Sequence, residues 1–235
     1  VGSEMCIRDR FHDDQHGTAV TVLAGMLNAL RAVGKRLDGA RIVVNGAGAA
    51  GVAISHMLLE AGVGELTVCD RAGILTEGSA GMTDAQAELA RLTNASGLTG
   101  DLAAALRGAD AFIGVSAPGL VTADMVRTMA PRAVVFACAN PVPEIMPEEA
   151  LRGGAAVVAS GRSDAPNQIN NVLAFPGIFR GALDVRARDI NRPMQLAAAQ
   201  ALSALVSPAE LAAGKIIPEP VSYTHLTLPT KRIVE

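Results

Sequence analysis

Two acids, two imidazoles and an amide stand together at His12-Asp13-Asp14-Gln15-His16-Gly17, directly ahead of an apolar helical pattern. Adjacent carboxylates repel one another unless a cation or a base lies near. Carboxylate oxygens are what a hard divalent ion such as Mg²⁺ or Mn²⁺ takes as ligands, and this cluster supplies one or two. Two other accounts fit the same residues. Acids ahead of a helix cap it and complement its dipole, although one Asp is enough for that. The imidazoles of His12 and His16 suggest zinc, but zinc wants more nitrogen or sulfur ligands than lie nearby.

A second chemical signature is Gly46-Ala47-Gly48-Ala49-Ala50-Gly51, a GxGxxG motif. Alone it says little, but here it falls between an apparent strand and an apparent helix, the context a dinucleotide cradle requires. The first glycine permits a tight turn, the second lets backbone N–H groups reach a pyrophosphate, and the third allows close packing of helix on strand. Asp70 ends the next strand nineteen residues after Gly51. A carboxylate there accepts hydrogen bonds from the adenosine ribose hydroxyls and favours NAD, while Arg71 beside it keeps NADP open. Glycine turn and strand-end cap are the structural alternatives, and they do not by themselves put all four features in register.

Amides supply the third signature. Asn140, in Ala139-Asn140-Pro141-Val142-Pro143, follows a strand at the edge where open α/β sheets bind ligands. The segment Ser163–Asn171 is dense in amides, which bond carboxylates, hydroxyls or carboxamides without titrating. Asx turns at a helix start account for some of these residues. Asn170 and Asn171 together exceed what capping needs, so at least one is expected to contact ligand.

The elements that must position these groups are legible as periodicity. Helical spacing runs over Thr18–Val33 and Val52–Glu60, from a capping box at Thr83 to Leu92, and over Leu102–Leu106, Asp124–Met129 and Pro147–Leu151. It resumes over Asn170–Leu183 and Pro193–Val206, and Ser207 caps one more short helix. Short β-branched runs at Arg41–Asn45, Leu66–Asp70, Ala111–Val115, Val134–Ala137 and Ala156–Ala159 read as buried strands. Strands alternating with helices predict a doubly wound parallel sheet of the Rossmann type, with additional helices at the C-terminal end.

Composition agrees. The 235 residues are 50% hydrophobic but only 3% aromatic, so the core is built from small and aliphatic side chains. A net charge of −3 with dispersed Lys and Arg argues against a nucleic-acid surface. No apolar run is long enough to span a membrane. Cys6, Cys69 and Cys138 lack the spacing of a disulfide framework or zinc site, which points to a reducing, cytoplasmic compartment. The segments 1–10 and 221–235 differ in character from the Ala- and Gly-rich body. They are expected to be non-native peptide of the kind obtained when sequencing-adapter DNA is translated, which would strip Cys6, Tyr223 and His225 of meaning. Residues 11–220 then form one domain.

Four stretches, Phe11–Val20, Val43–Gly51, Ala139–Ala150 and Ser160–Val185, closely resemble the bacterial malic enzymes, and the resemblance extends from Phe11 to Pro220. It implies a Rossmann-type domain of an enzyme that oxidises L-malate to oxaloacetate with NAD or NADP and decarboxylates it to pyruvate, using Mg²⁺ or Mn²⁺. By the same resemblance Asp14 is a metal ligand and Asp13 supports the catalytic base. Gly46 to Gly51 and Asp70 hold the dinucleotide, Asn140 lies on its nicotinamide side, and Asn170 and Asn171 meet the malate. The family also implies a homodimer or larger assembly. In such enzymes the acid–base Tyr and Lys, and the Glu and Asp that complete the metal shell, lie upstream of the counterpart of His12–Gly17. The chain as written is therefore expected not to turn over malate alone. A malolactic outcome and a non-catalytic dinucleotide-binding module are the competing expectations.

Overall fold

A computed structural model describes residues 11–220; the two end segments, with Cys6, Tyr223 and His225, lie outside the described residues. A five-residue π-helical turn, Asp13–Gly17, leads into α1 (Thr18–Ala32). There follow β1 (Arg41–Asn45), α2 (Ala49–Glu60), β2 (Glu65–Asp70), the two-residue β3 (Gly73–Ile74), α3 (Asp84–Leu92) and α4 (Leu102–Leu106). β4 (Ala111–Gly114), α5 (Ala123–Arg127), β5 (Val134–Ala137), α6 (Pro147–Arg152) and β6 (Val157–Ser160) complete the sheet. A 3₁₀ turn at Asn171–Leu173, α7 (Phe175–Asp184), α8 (Arg192–Ala204) and α9 (Pro208–Ala212) close the described chain.

The sheet order is β3-β2-β1-β4-β5-β6, and every pairing is parallel except β2 with β3. Parallel strands put the carboxyl ends of β1, β2, β4, β5 and β6 on one edge. The chain direction across the sheet reverses between β1 and β4, so a crevice opens outside those two strand ends. Side chains alternate between two cores. Ile42, Val44 and Phe136 face α1, α2 and α8, whereas Val43, Phe112 and Val135 face α4, α5 and α6. Phe112 and Phe136 are fully buried, and each such ring contributes about 1.5–3 kcal/mol.

Most elements fall where periodicity places them, with three instructive differences. The sequence reads as one helix over Asn170–Leu183, but the chain breaks into a 3₁₀ turn and α7. Asn170 Oδ1 accepts from Val172 N at 3.0 Å and so caps the turn. Pro176 then sits in the first turn of α7, where its missing N–H costs nothing. The helix expected from Val52 starts three residues earlier, inside the glycine motif. Strand β3 is too short to leave any periodic trace.

The C-terminal helices are joined to α1 by a buried amide. Asn28 Nδ2 donates to Ser203 O and to Ile216 O, both at 2.9 Å, and Asn28 Oδ1 accepts from Ser203 Oγ at 2.9 Å. Replacing Asn28 by Ala strands those carbonyls and is expected to cost about 2–3 kcal/mol. Urea denaturation checks this, with a lowered midpoint at unchanged slope as the expected result. On the outer face of α7, Phe175, Phe179 and Leu183 are exposed, and Phe11 stands edge-on to Phe179 at 5.5 Å between ring centroids.

Candidate dinucleotide and substrate cleft

Two glycines of the cradle, Gly46 and Gly51, have separate steric reasons. Gly46 holds φ +113°, and a Cβ there would lie 2.7 Å from Val115 O, in a region of backbone space that side chains disfavour. At Gly51 a Cβ would collide with Gly46 O, so only glycine lets α2 begin against the turn. Gly48 is different: its φ is −80°, and a Cβ would meet nothing within 4 Å. The fold leaves that space open, in front of the first N–H groups of α2, where an anion is favoured by both free donors and helix dipole.

Asp70 sits at the carboxyl end of β2, to one side of this space. Gln86 Nε2 donates to Asp70 Oδ2 at 2.6 Å and reaches Ala47 O at 3.4 Å. The same Gln86 completes the capping box of α3, its Oε1 accepting from Thr83 N at 2.9 Å. One side chain thus ties the cradle, the strand-end acid Asp70 and α3 together. Reading Thr83–Gln86 as a capping box found the cap but not this second bond.

On the other side of the cradle, at the ends of β4, β5 and β6, lies a cleft of about 480 Å³. Asp14, Asn140, Asn170 and Asn171 all line it, together with Ser116 and Cys138. Four residues from three distant stretches of chain therefore meet in one place. Asn171 Nδ2 donates to Asp13 Oδ2 at 2.6 Å and reaches Asp14 Oδ1 at 3.4 Å. Capping does not explain the two acids, because neither the π turn nor α1 receives a side-chain cap. Burial raises the Asp13 carboxyl above the usual carboxylate range, the neighbouring Asp14 adds to this, and His12 opposes it. Asp13 Oδ1 is buried with no hydrogen-bond partner. Gly17 makes room for it, since a Cβ there would overlap that oxygen.

The His16 ring is otherwise engaged. His16 Nδ1 accepts from His12 N at 2.9 Å, and burial lowers the His16 pKa. Among the described residues no group of three or more His, Cys, Asp and Glu converges as a metal site. Asn140 is exposed at the cleft mouth, with Gly161 giving it space. Asn167, from the same amide-rich run, is structural: its side chain bonds Gly214 O and Ile216 N, both at 3.0 Å.

Sequence reasoning missed one group altogether. Glu144 is fully buried, and its carboxyl accepts from Ser116 N at 2.8 Å and Ala139 N at 3.1 Å. Nothing in a Pro-rich loop with further acids close behind marks it as buried.

A glycine cradle at a β1–α2 turn, a strand-end acid on β2 and a crevice where the strand order reverses define a dinucleotide-binding domain of the Rossmann kind. The particular family follows from comparison. Residues 15–227 match the family model for the malic enzyme NAD-binding domain, and the chain belongs to that family. A bifunctional malic/malolactic enzyme of Bacillus subtilis is 53% identical over 211 residues, covering 89% of this chain and 52% of that protein. An NADP-dependent malic enzyme of Halomonas elongata is 50% identical over 205 residues, covering 86% of this chain and 48% of its own length. The crystal structure of an NAD-dependent malic enzyme from Thermotoga maritima superposes with a TM-score of 0.83 at 44% identity, over 95% of this chain and 57% of that one. The chain thus spans about half the length of these two relatives and about a quarter of the length of others, such as an NADP-dependent malic enzyme of Rhizobium meliloti (26%). Among the described residues no helix is long and apolar enough to cross a membrane.

Proposed function

We propose that this chain is the dinucleotide-binding half of an enzyme that oxidises L-malate with NAD or NADP and decarboxylates the product to pyruvate and CO₂. The observation that carries the reading is the cleft itself: Asp14, Asn140 and Asn171 face one space directly beside the glycine cradle. The names of the relatives supply the substrate. In this reading Gly46–Gly51 hold the pyrophosphate and Asp70 the adenosine ribose. Asn140 steadies the nicotinamide side, and Asn170 and Asn171 meet the malate.

The acid pair fits a divalent cation in part. A buried carboxyl oxygen without a partner and an exposed carboxylate beside it form a hard-oxygen donor set. Asp14 would be the ligand, with Mg²⁺ or Mn²⁺ as the ion, and Asp13 would support the catalytic base from behind. Such an ion, when bound, makes the C2 hydroxyl of malate more acidic and polarises its carboxylate. Asn171 holds the two acids in register.

One aspartate holds a divalent ion weakly against water, and no second cluster of ligands converges among the described residues. The chain alone is therefore expected to bind dinucleotide but to release no labelled pyruvate from ¹³C-malate. The whole enzyme is expected to form NAD(P)H, pyruvate and CO₂ in equal amounts. Turnover by the purified chain alone would overturn the division of labour, and a whole enzyme inert towards malate would overturn the substrate. The B. subtilis relative's name favours a second reading, in which lactate leaves and no reduced dinucleotide accumulates. Product analysis of the same assay separates the two. A cytoplasmic location, a homodimer or larger assembly and a single native domain over residues 11–220 complete the proposal. The free thiols Cys69 and Cys138 support the first of these.

A further inference from the structure

We propose that Glu144 is a positioning residue for the nicotinamide half of the cofactor, setting the distance between the two loops that half must enter; this rests on the cleft being a dinucleotide site. Glu144 comes from the loop after β5, at the chain's approach to α6. Its two carboxyl oxygens take different strands. Oε1 accepts from Ser116 N at 2.8 Å, just past β4, and Oε2 accepts from Ala139 N at 3.1 Å, just past β5. Ser116 and Asn140, the neighbour of Ala139, both line the cleft.

The link continues under the cradle. Asn45, the last residue of β1, donates from Nδ2 to Ser116 Oγ at 2.7 Å, and Ser116 Oγ stands 3.5 Å from Glu144 Oε1. The ends of three adjacent strands, β1, β4 and β5, are thus cross-braced by one polar chain, buried at Asn45 and Glu144 and exposed at Ser116. Gly114 is shaped to admit it, since a Cβ there would overlap the Glu144 carboxyl. The Glu144 main chain is fixed too, its O accepting from Val121 N at 3.0 Å. A buried carboxyl group satisfied by backbone N–H donors resists movement of either loop: displacing the loop after β5 would strand the buried Ala139 N–H, and displacing the loop after β4 would leave the buried Glu144 carboxyl short of a donor.

The adenosine half, assigned to Asp70 on the other side of the cradle, shares none of these bonds. That asymmetry gives the test. In Glu144→Gln the shape is kept, but an NH₂ faces one of the two backbone N–H donors. Affinities of the full chain for NAD and for ADP-ribose are measured by calorimetry, with thermal melting as a fold control. ADP-ribose reads the adenosine half and the pyrophosphate without the nicotinamide. The variant is expected to bind NAD about tenfold more weakly while ADP-ribose stays within about twofold.

Should Glu144→Gln fail to fold, Ser116→Ala decides. It keeps the Ser116 N–H bond to Glu144 and removes only the hydroxyl between Asn45 and Glu144. A smaller loss, again confined to NAD, is the expected result. Equal losses for both ligands, or no loss for either, would overturn the positioning role and leave the dinucleotide site standing. If the unaltered chain binds neither ligand, the dinucleotide reading itself falls and this inference with it.

Discussion

Replacing Gly48 by Val is expected to weaken dinucleotide binding about 100-fold while the domain stays folded. A Cβ at this position meets no protein atom within 4 Å, and a φ of −80° suits any residue. The added carbons therefore occupy only the space in front of the α2 N-terminus. A pyrophosphate displaced from there loses two charge-assisted bonds worth about 1.5 kcal/mol each, and about 1.4 kcal/mol is a factor of ten. The lost N-cap preference of glycine costs the fold no more than about 1 kcal/mol. Gly51→Ala is the matched contrast, because its Cβ collides with Gly46 O and the turn itself must give. There the loss falls on stability, about 1–3 kcal/mol. Calorimetric titration beside thermal melting distinguishes the two: binding lost with melting preserved for Gly48→Val, melting lowered for Gly51→Ala. Equal binding by Gly48→Val and the parent would remove the cradle from its assigned place.

Asp14→Asn in the whole enzyme is expected to lower kcat/KM for malate about 1000-fold. Asp14 is exposed in the cleft and is the one carboxylate of the pair facing its open space. An amide keeps the shape but is a poor ligand for a hard cation. Losing about 4 kcal/mol of charge stabilisation from a divalent ion corresponds to that factor. Two readouts accompany the kinetics. Mn²⁺ binding, followed by electron paramagnetic resonance, is expected to weaken in parallel. The affinity for NAD is expected to hold, since the pyrophosphate contacts assigned to the cradle are made by backbone N–H groups and need no carboxylate. A variant with normal Mn²⁺ binding and a large loss of activity would shift the ligand role away from Asp14.

The sheet was readable because its strands are short β-branched runs buried on both faces, and β1 to β6 fall within one residue of those runs, β3 excepted. The turn at Gly46 and the close packing at Gly51 were readable from the motif, although the contact that bars a side chain at Gly46 comes from Val115, a long-range neighbour. Where long-range contacts decide, the sequence was silent. Asn171 and Asp14 are 157 residues apart, and only the fold brings them to 3.4 Å. Asn170 and Asn171 look alike in sequence, yet one oxygen caps a turn and the other side chain spans two acids. Asn167, the first amide of the same run, is spent on holding the C-terminal segment. Glu144 was invisible for the same reason: an acid in a proline-rich loop looks solvated, and its burial depends on two backbone donors from neighbouring strands.

The most direct measurement is a calorimetric titration of NAD into the purified chain, with ADP-ribose as competitor. A saturable single-site isotherm, displaced by ADP-ribose and abolished in Gly48→Val, is the result this account predicts. Heat that never saturates, or binding that survives both the competitor and the substitution, would contradict it.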